Sequence, residues 1–130
     1  MAAKKSLLIV CPDELRQQLV EALLFYTDAA YPPGGAECGQ VARVSLTDTA
    51  NALQGEPDVD TGGVEISRRI RAMLKTAINY YVDSFEAAEG SVCSSQRELL
   101  LSAGNGDLIE LDVFDRAVEQ DGAKLSMRLR

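Results

Sequence analysis

Arg68, Arg69, Arg71 and Lys75 crowd into eight residues of the 130-residue chain, and they are the side chains with the clearest capacity for chemistry. On a helix starting near Val64, Arg68, Arg71 and Lys75 fall on one side, with Arg69 about 100° round. Cations near a helix amino terminus oppose its macrodipole and so invite an anion. Gly62 and Gly63, immediately ahead, could turn free backbone N–H groups toward that anion. Gly62, Gly63, Arg68, Arg69, Arg71 and Lys75 are therefore a candidate site for a phosphate, nucleic acid or an acidic partner surface. Against this, Glu56, Asp58, Asp60 and Glu65 lie close by in sequence and could neutralise the cations within the chain.

A second constellation is the pair Glu110 and Asp112. On a strand, alternate residues share a face, and paired carboxylates can act as acid and base or hold a divalent cation. Lys124, Ser126, Arg128 and Arg130 would form the polar face of the following strand, where cross-strand ion pairs account for both acids without catalysis. Asp107, Asp112, Asp115 and Asp121 miss the spacing of an EF-hand loop, and Gly104-Asn105-Gly106 lacks the lysine of a phosphate-binding loop. The chain has no histidine, which removes Ser-His and Cys-His nucleophile pairs. Ser91, Ser94, Ser95 and Ser102 thus lack an activating imidazole, and Lys75 and Lys124 fall on faces expected to be solvated. Cys11, Cys38 and Cys93 cannot all pair within one chain, and their spacing matches no zinc or redox motif. The reading is a non-enzyme without metal or cofactor, its thiols buried and reduced.

The elements that must position these residues follow from periodicity. Ser6 to Val10 is a short apolar run suited to a buried strand. A helix follows from about Pro12 to Tyr26, with Leu15, Leu19, Leu23 and Tyr26 on its inner face. Asp28 to Gln40, containing Tyr31-Pro32-Pro33-Gly34-Gly35, reads as a loop. Val41 to Leu46 alternates as a strand, Thr47 to Gln54 suggests a helical turn, and Gly55 to Gly63 is an acidic loop. Val64 to Glu86 is the strongest signal, with Ile66, Ile70, Met73, Leu74, Ala77, Ile78, Tyr81, Val82 and Phe85 recurring at helical spacing and Gly90 as its stop. Arg97 to Ala103 and Leu108 to Phe114 flank a glycine-asparagine turn, and Asp121-Gly122 leads into Lys124 to Arg130, together a three-stranded meander. The expected fold is one α+β domain over residues 1–130, with two main helices packed on an antiparallel or mixed sheet of about four to five strands and a C-terminal β-meander.

Composition narrows the function classes. Hydrophobic residues make up 46% and charged residues 25%, as in ordinary globular chains rather than disordered ones. The net charge of −7 opposes nonspecific attraction to nucleic acid or an anionic membrane. Leu7 to Val10 is too short to span a bilayer or serve as a secretory core, so a cytoplasmic protein is expected. Phe25 with Tyr26, and Tyr80 with Tyr81, are adjacent aromatics that a helix must send in different directions, leaving one of each pair for a partner to cover. Leu125, Met127 and Leu129 would line a last strand whose edge could pair with a neighbouring chain. The leading expectation is a non-enzymatic interaction or structural subunit, oligomeric, of a larger assembly such as a viral or connector-type one, partnered by protein or by itself. A regulatory protein binding a small anionic ligand or nucleotide, and a carboxylate-dependent enzyme, are the alternatives.

Overall fold

The apolar run after Lys5 does form a strand, and its partner lies far along the chain. In the computed structural model, which describes residues 6–126, β1 (Ser6–Ile9) pairs antiparallel with β2 (Val64–Ser67), placing Leu7 opposite Ile66 and Ile9 opposite Val64. These four side chains are buried, while Glu65 and Ser67 point to solvent, as strand alternation requires.

Five α-helices complete the fold: α1 (Asp13–Ala30), α2 (Glu37–Gln54), α3 (Arg71–Glu89), α4 (Ser94–Gly104) and α5 (Leu111–Asp121), with a 3₁₀ turn at Arg68–Ile70 ahead of α3. The expected four-to-five-stranded sheet and C-terminal meander are therefore incorrect, because the only sheet among the described residues is the β1–β2 ribbon. Each misread strand has a specific cause. Val41 to Leu46 lies inside α2, whose buried residues Leu46, Thr49, Ala50 and Leu53 follow helical spacing while Val41 stays exposed. Arg97 to Ala103 belongs to α4, buried at Gln96, Leu100, Ala103 and Gly104. Most of Leu108 to Phe114 is the start of α5. Of Lys124 to Arg130, residues 124–126 form no strand, and Met127, Leu129 and the rest lie outside the described residues.

The helix at the centre of the reading also starts later than its periodicity implied. Val64 and Ile66 face the core from a strand, and the helix proper begins at Arg71 and ends at Gly90, whose φ of 69° supplies the left-handed cap. The loop around Pro32 and Pro33 is confined to residues 31–36, since α1 runs on to Ala30 and α2 starts at Glu37.

Packing follows from the buried faces. The Arg16 guanidinium, at the start of α1, donates to Leu53 O near the end of α2 at 2.9 Å, and Arg43 donates to Tyr31 O at 3.0 Å, so the two helices run antiparallel. Arg97 on α4 donates to Asn79 and Asp83 of α3, while Gly104 at its other end abuts Leu74 and Ile78. These helices too are antiparallel. Leu15, Leu19 and Leu23 of α1, Leu46 and Leu53 of α2, Leu74, Ile78 and Tyr81 of α3, Leu100 of α4 and Phe114 of α5 join one continuous core.

Polar groups close the far end of that core. The carboxylate of Asp121, at the end of α5, accepts from the backbone N–H groups of Ser95 and Gln96 at 3.1 and 2.9 Å. It thereby caps α4 from another helix, satisfying donors that helix leaves open. Gln96, fully buried, donates to Ala123 O and accepts from the Leu125 N–H, while Gln18 on α1 donates to Leu125 O. A side-chain network holds the carboxyl-terminal segment where a strand was expected.

Candidate functional site

The residues 68–75 sit on three separate clefts rather than one. Arg69 lines a cavity of about 680 Å³ with Ser45, Asp48, Thr49, Glu65 and Met73, between α2, β2 and the start of α3. Arg68 lines a second, of about 850 Å³, with Glu56, Asp58, Glu65 and Asn105. Arg71 and Lys75 line a third, of about 260 Å³, floored by Leu74, Ile78, Leu101 and Gly104 and closed by Asn105.

Electrostatics separates these clefts. The first two set one arginine against two or three carboxylates, an environment that opposes an anion. The third has two cations and no carboxylate in its lining. All four cations are exposed, and none makes an ion pair with a described residue. Every other described lysine or arginine does: Arg16 with Asp13, Arg43 with Asp28, Arg97 with Asp83 and Glu86, Arg116 with Asp112, and Lys124 with Glu14. The upstream acids therefore do not pair directly with Arg71 or Lys75. What steadies these two cations is the carboxyl-terminal end of α4, which lines the same cleft and carries the favourable sign of helix dipole.

Gly62 and Gly63 have a different task from anion binding. The Gly62 N–H donates to Asp58 O at 2.7 Å and the Gly63 N–H to the Thr61 hydroxyl at 3.2 Å, so both donors are engaged in the turn. Gly63 is demanded by close packing, because a Cβ there would stand 2.7 Å from Val10 Cγ2 and 2.9 Å from Ile9 O. Both glycines lead into β2, not into the helix.

Glu110 and Asp112 do not converge. Glu110 precedes the first turn of α5, and Asp112 pairs with Arg116 one helical turn on at 3.0 Å. Neither lines any of the three clefts. Among the described residues no three His, Cys, Asp or Glu side chains assemble a metal site.

The aromatic residues pack chiefly on one another. Phe25 meets Tyr80 and Tyr81 with ring centroids 5.6 and 6.1 Å apart, and Tyr26 meets Tyr31 and Tyr80 at 6.0 and 5.7 Å. Tyr81 is 0% exposed and Leu125 1%, so both belong to the core, and Tyr80 at 42% is the one clearly exposed ring. Burial, together with Tyr31 beside it, pushes the Tyr26 hydroxyl pKa up.

The thiols differ in environment. Cys38 is exposed. Burial lifts Cys11 to about 11, only partly offset by Arg16, and burial also raises Cys93.

An exposed apolar feature that periodicity did not isolate lies just past the third cleft. Leu108 and Leu111 are 64% and 60% exposed, and Val113 is 38% exposed, interleaved with Asp107, Glu110, Asp112 and Asp115. In a strand reading these residues split into a buried and a solvated face; in the folded chain Ile109 and Phe114 alone turn inward.

Comparison of the chain with protein-family models, curated proteins and solved structures finds no match. No helix among the described residues is long and apolar enough to cross a membrane.

Proposed function

We propose that this chain is a non-catalytic protein-interaction module that docks a chain segment bearing an apolar side chain flanked by carboxylates, and that the Arg71–Lys75 cleft is its contact. The observation that carries this reading is the lining of that cleft: two unpaired cations over an apolar floor, with no acid among them. Its volume of about 260 Å³ falls below the roughly 300–1,000 Å³ typical of small-molecule sites, and suits one or two inserted side chains. The two larger clefts reach small-ligand size, but their carboxylates work against a nucleotide or other anion. A role as a subunit of an assembly is the natural setting for such a contact.

The test is selection of displayed random peptides on the wild-type protein and on Arg71→Ala/Lys75→Ala. The expected result is enrichment of leucine, isoleucine or phenylalanine next to aspartate or glutamate, lost in the double variant. Enrichment indifferent to the two substitutions would overturn the reading. Saturable binding of inorganic phosphate or a nucleotide at Arg71 and Lys75, with no peptide selected, would overturn it in favour of a small-anion receptor.

A further inference from the structure

We infer that the occupant of the Arg71–Lys75 cleft is the Asp107–Asp115 segment of a second copy of this chain, so that two chains close a reciprocal two-fold dimer. This rests on the docking function proposed above and names its partner.

The chain carries the ligand that its own cleft would select. Leu108 and Leu111 are the apolar side chains, and Asp107, Glu110 and Asp115 the flanking acids, none of them ion-paired with a described residue. The segment is already shaped for contact. Its Ile109 is 8% exposed and donates its N–H to Val10 O at 3.0 Å, so the leucines on either side are held outward without the ordering cost that a flexible peptide incurs on binding. Both leucines remain in solvent within their own chain, which leaves a second molecule to cover them.

Position favours a closed pair over a filament. A two-fold contact uses one self-complementary patch on both subunits, so donor segment and receptor cleft must be neighbours on the surface. They are: Asn105 closes the cleft, and Leu108, three residues on, lies no more than about 11 Å along the chain. Charge fixes the pairing. With a net charge of −7 two copies repel at long range, and Arg71 and Lys75 are where a neighbour's acids find cations that no described carboxylate of their own chain pairs. Each dimer would make this contact twice.

The test is light scattering over a concentration series at low and raised salt, with two charge-reversed variants, Arg71→Glu/Lys75→Glu and Asp107→Lys/Glu110→Lys. All four residues are exposed. The wild type is expected to approach a doubling of its 14.0 kDa mass at low salt and to dissociate as salt rises. Each variant alone stays at single-chain mass, because every cross-chain contact then joins like charges. An equimolar mixture of the two recovers the doubled mass, because in the mixed dimer both contacts again join opposite charges. A wild type that stays single-chain throughout, or variants that associate as well alone as mixed, would overturn the inference. Should the wild type stay single-chain and still select acidic peptides through Arg71 and Lys75, self-association fails and the docking function stands. A mass doubling indifferent to all four residues, with no peptide selected, overturns both.

Discussion

Replacing Gln96 by leucine removes the centre of the polar network that fixes α4, α5 and the carboxyl-terminal segment. The Gln96 amide donates to Asp121 at 3.0 Å and Ala123 O at 2.7 Å, and accepts from the Leu125 N–H at 2.9 Å and Gln18 at 3.2 Å. Some partners survive the change: Gln18 keeps Leu125 O, and Asp121 keeps the backbone donors of α4. The buried Leu125 N–H is stranded, while half-buried Ala123 O can recruit water. Since Gln18 and Asp121 keep other partners, the cost is about 1–3 kcal/mol for the stranded Leu125 N–H and about 1 kcal/mol for the bond to Ala123 O, a destabilisation of about 2–4 kcal/mol. That is a large fraction of the roughly 5–15 kcal/mol holding a domain of this kind. Urea unfolding followed by circular dichroism measures it, with an unchanged m-value expected. Gln18→Leu is the internal control. It loses the bond to Gln96 and strands the buried Leu125 O, but it also removes the Gln18 Oε1 that is buried without a partner, which offsets the stranded carbonyl, so its cost should be about 1 kcal/mol. Equal costs for the two variants, or a Gln96→Leu cost under about 0.5 kcal/mol, would refute the assignment of Gln96 as the hub. Because α5 begins within the Leu108–Asp115 segment, Gln96→Leu should also speed amide exchange at Phe114 to Val118.

Other consequences are checked separately. Gly63→Ala forces a Cβ against Val10 and Ile9 and should cost about 1–3 kcal/mol by overpacking, whereas Gly62→Ala meets open space at φ 73° and should cost about 1 kcal/mol; denaturant midpoints give the order. Cys38 should react with a thiol reagent at pH 8 well ahead of Cys11 and Cys93, and all three thiols should react after unfolding; rapid labelling of Cys11 in the folded protein would contradict its burial. With Cys11 raised from 9.0 to about 11 in the fold, the unfolded thiol ionises first. The stabilising contribution is therefore full below pH 9 and is lost as pH rises from 9 to about 11, so Cys11→Ala should decline less steeply than wild type over that range in urea titrations. Arg97→Ala leaves half-buried Glu86 without its cation and should cost about 1–2 kcal/mol, seen as a lower thermal midpoint.

What the sequence made legible was the part governed by local period. The inner faces of α1 and α3 and the stop at Gly90 follow from apolar residues three and four apart and from one glycine able to take positive φ. The errors came from signals that two structures share. Gly106 and Gly122 adopt φ of 97° and 75°, which serves a helix end as well as a hairpin, so the same residues fit a meander of which the described residues form no strand. Val41 to Leu46 alternates over six residues, yet the helix over 37–54 is decided by the spacing of Leu46 with Thr49, Ala50 and Leu53, three residues that lie beyond that window. Val64 and Ile66 fit a helical stripe, and only their pairing with Ile9 and Leu7, more than fifty residues away, makes them a strand. The cationic segment was visible at once, but its division among three clefts depends on which acids the fold brings opposite each side chain. The exposed Leu108 and Leu111 were hidden by the strand assignment, although Asp107 to Asp115 alternates acids with apolar residues in plain view.

The claim that the Arg71–Lys75 cleft receives residues 107–115 of a second copy is tested most directly by titrating the ¹⁵N-labelled protein with a synthetic peptide carrying those residues while recording amide shifts. Saturable changes centred on Arg71, Leu74, Lys75, Ile78, Leu101 and Gly104, abolished by Arg71→Glu/Lys75→Glu, are the predicted result. Changes centred instead on Ser45, Asp48 and Arg69, or no saturable change at any concentration, would contradict it.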